Sequence, residues 1–392
     1  MRVLMVSDVY FPRINGVSTS IETFRRTLGE EGVEVKLIAP RYGDEPEAGD
    51  VTRVPGRAVP GDKEDRLVRW GAMHRAVEAA AQDCDLIHIQ TPFVAHYAAL
   101  RAARRLGKPV MATYHTLFEE YLQHYAPFLP AKWLRNQARA FSRRQCNTLD
   151  AMVVPSSAMR QRLESYGVTK PMHVLPTGIP LVQFARGDRA AFRRQHGIAP
   201  NRPVALFVGR VAHEKNIDFL LQAMTHALER CPACLLVIAG EGPAMGALRR
   251  KTQELRLEAN VLFIGYLDRQ KALPDCYAAA DAFVFASQTE TQGLVLLEAM
   301  AAGLPVIALA EMGTVDILAP GMGAVVPPAE PRAFGEAMAE FLGAPQRWPA
   351  LAAEAREYAE AWSDQAMAAR LAACYRELLA SHGIANCRPA LA

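Results

Sequence analysis

The stretch Ala282-Phe-Val-Phe285-Ala-Ser287-Gln-Thr-Glu290-Thr-Gln-Gly293-Leu-Val-Leu-Leu-Glu298-Ala-Met-Ala-Ala-Gly303-Leu-Pro305-Val306-Ile-Ala-Leu309 decides the fold. Ala282–Phe285 has no polar alternation and reads as a strand buried on both faces. Gly293 opens an Ala/Leu-rich helical stretch. Gly303-Leu-Pro305 separates it from a second buried strand, Val306–Leu309. Strand, helix, strand is the repeating unit of a parallel sheet. The same unit recurs outward: Val204–Val208, Leu235–Ala239 and Val261–Ile264 precede it in the second half. Val3–Ser7, Val35–Ala39, Leu86–Gln90, Val110–Tyr114 and Met152–Pro155 fill the first half. Helical stretches such as Val17–Leu28 and Leu67–Ala81 lie between them. Pro180–Pro203, rich in Pro, Gly and charge, reads as a connection. The pattern predicts an α/β chain of two Rossmann-like, doubly wound domains facing each other across a cleft. A ligand would sit at the carboxyl ends of the strands.

Composition agrees. The chain has 392 residues, 51% hydrophobic and 22% charged, which excludes a disordered chain and a small disulfide-stapled module. The first strand is too short for a signal-peptide core. No apolar run approaches the roughly 18 residues of a spanning helix. A cytoplasmic protein is expected, with peripheral contact to the inner face of a membrane left open. The seven cysteines (84, 146, 231, 234, 276, 374 and 387) are scattered and odd in number, as in reduced thiols. Cys231-Pro-Ala-Cys234 lacks the second Cys/His pair of a zinc site and does not open a helix as a redox pair does.

Chemistry is expected just after strands. After the first strand, Asn15-Gly16-Val17 leads into a helix. Gly16 permits a tight turn and close approach of a ligand, and the helix start offers N–H groups to an anion. An ordinary turn reads the same way. The loop is not G-x-G-x-x-G, which disfavours a nicotinamide dinucleotide. After Val204–Val208 come Gly209-Arg210 and Glu214-Lys215-Asn216. Two cations beside a Gly and a helix start suit a diphosphate, or else form a solvated loop with a Glu214 salt bridge. Glu290 follows a buried strand, and Gly293 opens a helix whose N–H groups and dipole face an anion. Glu298 lies inside an apolar helix, so it either pairs with a cation or binds ligand hydroxyls.

With Glu290 and Glu298 separated by seven residues, and Gly-Leu-Val-x-Leu-Glu-Ala-Met-Ala following the first, the chain resembles glycosyltransferase family 4, retaining enzymes of the GT-B fold. The resemblance covers nearly the whole chain. It includes Thr113-Tyr114-His115-Thr116, Val154-Pro155-Ser156, Leu175-Pro176-Thr177-Gly178, Val208-Gly209-Arg210, Gly240-Glu241-Gly242-Pro243 and Phe263-Ile264-Gly265. It implies an acceptor-binding domain over 1–195, with the C-terminal segment 366–392 packed back on it. A donor-binding domain would span 196–365. By resemblance, Glu290 holds hydroxyls of the donor sugar and Glu298 those of the ribose. Arg210, Lys215 and the N–H groups of Gly293, Leu294 and Val295 neutralise the leaving diphosphate. Gly16 lines the phosphate and acceptor side, His115 the reacting sugar, and Gly265 and Tyr266 the base. Catalysis would fall to His115, Glu290, Arg210 and Lys215, with no protein nucleophile. Thr291-Gln292, Gln90 and Asp316 depart from the usual family residues, which leaves the sugar open. His115 has a plain alternative as a satisfied core histidine. Asp83-Cys-Asp85 mimics a metal-binding D-x-D but precedes its strand, so no essential metal or other cofactor is expected.

The net charge of +3 hides a contrast: residues 101–200 hold 16 basic and 5 acidic residues. Lys132, Arg135, Arg139 and Arg143 recur at helical spacing, with Leu134, Ala138 and Phe141 on another face and Trp133 adjacent. Phe128 and Leu129 precede them. A basic amphipathic helix beside an apolar loop suits an anionic lipid surface. The plain alternative is a surface helix packed by its apolar face. His115-Thr-Leu-Phe-Glu-Glu-Tyr-Leu-Gln-His-Tyr125 also resembles diacylglycerol-lipid glycosyltransferases. The expected partners are a nucleotide-sugar and a membrane lipid, not nucleic acid, for which no recognition motif is present. Competing readings are transfer to a surface or soluble saccharide, and a non-catalytic nucleotide-sugar-binding protein. The latter is expected to lose one of Arg210, Lys215, Glu290 and Glu298, and all four are present.

Overall fold

The computed structural model describes residues 1–45, 49–59, 62–115, 131–269 and 271–386. It divides into two compact units, residues 1–178 with 364–392, and residues 179–363.

The first unit holds β1 (Arg2–Val6), β2 (Glu34–Pro40), β3 (Val51–Val54), β4 (Gly56–Val59), β5 (Asp62–Val68), β6 (Leu86–Ile89), β7 (Val110–Thr113), β8 (Ala151–Val154) and β9 (Met172–Val174). Seven of these form a parallel sheet in the order β3-β2-β1-β6-β7-β8-β9, while β4 and β5 pair as a separate antiparallel hairpin. The expected helix from Leu67 therefore begins only at Trp70. Leu67 and Val68 belong to β5, whose short mixed pattern resembles the helix behind it. The sheet order reverses between β1 and β6. Helix Gly16–Thr27 starts there, capped by Asn15 Oδ1, which accepts from Ser18 N (2.8 Å). A Cβ at Gly16 would meet nothing within 4 Å, so the turn does not itself require a glycine. Asn15 caps it, and Gly16 leaves open space.

Helix Asp364–Asn386 closes this unit. Met367, Leu371, Tyr375 and Leu378 fall at helical spacing and are buried with Ile21, Phe24 and Leu28. Tyr375 also fixes the polar interior: His88 of β6 places Nδ1 2.7 Å from the Tyr375 hydroxyl and Nε2 2.8 Å from Thr113 Oγ1. Burial pushes His88 down to about 3, so the ring stays neutral and both nitrogens are satisfied.

The second unit holds β10 (Val204–Val208), β11 (Leu235–Ala239), β12 (Val261–Gly265), β13 (Ala282–Phe285), β14 (Val306–Ala308) and β15 (Ala324–Val325). They form one parallel sheet, β12-β11-β10-β13-β14-β15, reversing between β10 and β13. The boundary expected at 195/196 lies at 178/179, because Pro180–Pro203 is not a free connection. It carries helices Leu181–Phe184 and Arg189–Gln195. Arg189 and Arg193 both pair with Asp281 (2.7 and 3.1 Å), which also accepts from Val204 N (2.8 Å). Arg193 is buried and donates to the carbonyls of Ala199, Pro200 and Arg202. Charge that reads as solvated in the sequence is thus a clamp at the amino end of the sheet.

Tyr375→Phe should destabilise the chain by about 1–3 kcal/mol, because His88 Nδ1 would be left buried without a partner. Urea unfolding measures this, and an unchanged midpoint would refute the role given to that contact.

Candidate functional site

In the second unit the carboxyl edge is assembled on backbone. The amide of Gly209 donates to Ala239 O (3.0 Å) and that of Gly240 to Gly265 O (2.7 Å). A Cβ on Gly240, where φ is +138°, would lie 1.9 Å from Gly209 O. The ends of β10, β11 and β12 are therefore laced edge to edge with no side chain between them. From this floor Arg210 projects into solvent, 3.8 Å from Glu214. A short turn, His213–Lys215, then leads through Asn216 into helix Ile217–Arg230. Asn216 Nδ2 donates to Ala286 O (3.2 Å) and Ser287 Oγ to Glu214 O (3.3 Å), tying this turn to the loop after β13.

That tie brings Lys215 against Glu290. Their Nζ and Oε1 form an ion pair, with the two side chains 22% and 16% exposed. Glu290 is held by its carbonyl, which accepts from Gly313 N (2.8 Å). Gly293, with φ +87°, turns the chain into helix Leu294–Ala301, and no side chain caps that helix. A Cβ on Gly293 would meet Leu296 Cδ1 at 2.7 Å and Thr314 Cγ2 at 3.0 Å, so this glycine is required. Cation, carboxylate and an uncapped helix N-terminus thus converge where the strand order reverses.

Glu298 is placed differently. It is fully buried, with Oε1 paired to Arg269 and Oε2 accepting from the Tyr277 hydroxyl (3.0 Å). Glu298 thus has a cation beside it, one of the two roles that its place in the sequence allows. Neither partner carries a sequence signal, since Arg269 lies in the loop after β12 and Tyr277 on helix Ala272–Ala279. Gly265, with φ +86°, borders a cavity of about 500 Å³ lined by Glu241, Met245, Arg249 and Phe263. Tyr266 beside it is 65% exposed.

In the first unit the corresponding edge holds Asp8, Gln90, Thr91 and His115. Asp8 follows β1, accepts from Thr91 Oγ1 (2.7 Å) and from Ala95 N (3.1 Å), and so serves the open N-terminus of helix Val94–Leu106. Burial raises its carboxyl to about 6 against the pull of these hydrogen bonds. His115 Nε2 donates to Gln90 Oε1 (2.9 Å), and burial pushes the ring down to about 4. Gln90 is thus the partner that orients His115. Asp83 and Asp85 stand at the opposite, amino edge, where Asp83 lies 3.8 Å from Lys36 and Asp85 accepts from Arg2 N (2.7 Å). Cys231 and Cys234 also lie at an amino edge, leading into β11.

Phe128 and Leu129 lie outside the described residues. Helix Ala131–Cys146 buries Leu134, Ala138, Ser142 and Gln145. Lys132, Trp133, Arg135, Arg139 and Arg143 are all exposed, and Arg139 lies over the Tyr166 ring (5.5 Å). Phe141 is 38% exposed rather than on the buried face, because that face runs 134, 138, 142, 145. Among the described residues no helix is long and apolar enough to cross a membrane.

Comparison with known proteins agrees with this geometry. Residues 14–183 match glycosyltransferase family 4 and residues 188–362 match glycosyl transferases group 1. The chain is 34% identical to an alpha-monoglucosyldiacylglycerol synthase of Streptococcus pneumoniae, over 79% of this chain and 71% of that protein. It is 31% identical to a GDP-mannose-dependent alpha-mannosyltransferase of Mycobacterium tuberculosis, over 92% and 93%. Its fold is that of Anabaena HepE, solved with UDP, at a TM-score of 0.76 and 17% identity, covering 96% of this chain and 100% of that one. Two doubly wound parallel sheets of this kind are the GT-B fold of a nucleotide-sugar-dependent glycosyltransferase. The chain belongs to glycosyltransferase family 4.

Since the folded pKa of His115 lies below its ordinary value, the ring stays neutral down to about pH 4. His115→Gln should therefore lower transfer by the same factor at about pH 6 and about pH 8. A loss that changes between the two would reveal an imidazolium at work.

Proposed function

We propose that the chain transfers a hexose, with retention, from a nucleoside-diphosphate sugar to a hydroxyl of a membrane glycerolipid. The observation that carries the donor half is the Lys215–Glu290 pair beside the uncapped start of helix Leu294–Ala301. Lys215 and Arg210 neutralise the diphosphate as it leaves, aided by the N–H groups of Leu294 and Val295. Glu290 then accepts from hydroxyls of the sugar. The bond from the anomeric carbon to the diphosphate oxygen breaks as the bond to the acceptor oxygen forms on the same face. The acceptor proton passes to a phosphate oxygen. The neutral His115 ring serves the reacting sugar as a hydrogen-bonding group. What these residues supply is electrostatic stabilisation of the departing diphosphate and of the cationic sugar. Two side-chain cations and a helix dipole provide the charge, so no metal is required.

The acceptor half rests on the relative named a monoglucosyldiacylglycerol synthase and on the first unit's surface chemistry. Helix Ala131–Cys146 contains no acidic residue, and Trp133 is 52% exposed. Gln145 of the same helix reaches the hydroxyl of Tyr97 (3.4 Å), whose ring lies 5.8 Å from that of exposed Trp70. Arginines with exposed aromatic rings suit the headgroup zone of an anionic bilayer. A peripheral position on the inner face of the membrane follows.

Lys215→Ala and Glu290→Ala, assayed in EDTA with UDP- and GDP-sugars and diacylglycerol lipids, should each lose about 100-fold or more of wild-type transfer. Wild-type turnover by either variant would refute the site, and a wild-type enzyme that needs Mn²⁺ would refute metal independence. Reversing Arg135, Arg139 and Arg143 to Glu should weaken binding to anionic liposomes by about 100-fold or more, at about 1 kcal/mol per charge. Unchanged co-sedimentation would leave the helix as ordinary surface.

A further inference from the structure

Cys231-Pro-Ala-Cys234 lies at the amino edge of the second sheet, away from Lys215 and Glu290. It closes helix Ile217–Arg230, where the amide of Cys231 donates to Ala227 O (2.9 Å). The segment then turns back on itself, and the amide of Cys234 donates to Cys231 O (3.0 Å) before β11 begins. A hydrogen-bonded turn of four residues brings its first and last Cα within about 7 Å, and a disulfide spans roughly 4.4–6.8 Å between them. Pro232, second in the turn, has its φ already fixed at the value such a turn requires.

The turn is also held from outside. Asn260 Nδ2 donates to Pro232 O (3.1 Å) and to Cys234 O (2.8 Å), and Arg202 Nε donates to Ala233 O (2.9 Å). All four carbonyls of the segment are therefore engaged, and the backbone itself brings the two sulfurs together.

The two thiols are unequal. Cys231 is half-buried beside exposed Pro232 and Ala233, whereas Cys234 is fully buried, with Met224 Sδ 4.0 Å from its sulfur. A hydrogen bond from the Cys234 side chain brings the Cys231 thiol down to about 7. The same contact, with burial, pushes Cys234 up. Burial also pushes up the thiols of Cys84, Cys146, Cys276 and Cys374, so among the described cysteines Cys231 alone offers a thiolate near neutral pH. Redox pairs that open a helix draw this stabilisation from the helix start. Here the partner thiol supplies it at a helix end. A reachable thiolate backed by a buried thiol within bonding reach is the arrangement that thiol–disulfide exchange needs.

We propose that Cys231 and Cys234 form a reversible dithiol–disulfide site that exchanges with low-molecular-weight disulfides. The Cys231 thiolate attacks one sulfur of the small disulfide. The S–S bond breaks, one small thiolate leaves and takes up a proton, and Cys231 keeps the other half as a mixed disulfide. Cys234 then attacks Cys231 Sγ, and its proton passes to the second small thiolate as that leaves. The two protein thiols lose two electrons and two protons in all, and the small disulfide becomes two thiols. Excess small thiol runs the sequence backwards. The new bond ties the end of helix Ile217–Arg230 to the start of β11.

The test is mass mapping of the full chain, which reads the polypeptide and not sugar transfer. Wild-type protein equilibrated with oxidised glutathione, then alkylated and digested, should have lost two hydrogens, with Cys231 and Cys234 joined and protected from alkylation. Dithiothreitol should restore both thiols. Cys234→Ser should stop at the mixed disulfide, with one glutathionyl group on Cys231, and Cys231→Ser should leave Cys234 unmodified. The proposal is overturned if wild-type Cys231 and Cys234 are alkylated after oxidised glutathione as fully as after dithiothreitol. It is overturned too if the wild type keeps the glutathionyl group on Cys231, because Cys234 is then out of reach. Glutathionylation of Cys234 in Cys231→Ser would contradict the roles given to the two thiols and end the proposal as well.

Discussion

The second unit depends on a contact that leaves no room for an atom. Gly240 passes so close to the carbonyl of Gly209 that any Cβ would overlap it, and its amide is spent on Gly265. Three strand ends are therefore held in fixed register by backbone alone. Everything charged in the site is hung from that floor or tied to it. Lys215 stands one turn beyond Gly209, and Asn216 and Ser287 fasten that turn to the loop bearing Glu290. A lysine positioned in this way loses little freedom when it meets a phosphate, because the scaffold has already restricted it.

Each carboxylate of the signature has a cation beside it. Glu290 holds Lys215 and Glu298 holds Arg269, but the two pairs differ in burial. The first is partly open, so water or a ligand can compete for both partners. The second has one partner sealed and the other exposed. Two glutamates of one signature thus give one exchangeable pair and one largely buried pair, and burial is what separates them.

The parallel sheets were legible because strands covered on both faces leave unbroken apolar runs such as Leu235–Ala239. The short edge strands β9 and β15 and the β4–β5 hairpin were not, since they are too short or too polar to leave such a run. Pro180–Pro203 misleads for a different reason. Its arginines read as solvated, and only the fold brings Asp281 to them. Glu290 and Lys215 were readable from their place after strands. Arg269 and Tyr277 were not, because pairing across distant segments leaves no local pattern. Asp8 did have a signal, an acid directly after a buried strand, but its partner helix begins only at Val94.

The second unit is one continuous stretch, whereas the first is completed by the helix from Asp364, the last described element of the chain. During synthesis, the nascent first unit must wait with its hydrophobic groove around Ile21, Phe24 and Leu28 uncovered while the whole second unit is translated. His88 waits with it for the hydroxyl of Tyr375. The second unit can fold as soon as it leaves the ribosome. The order of maturation is thus the reverse of the order of translation, and the open groove is the surface a chaperone would find on the unfinished chain.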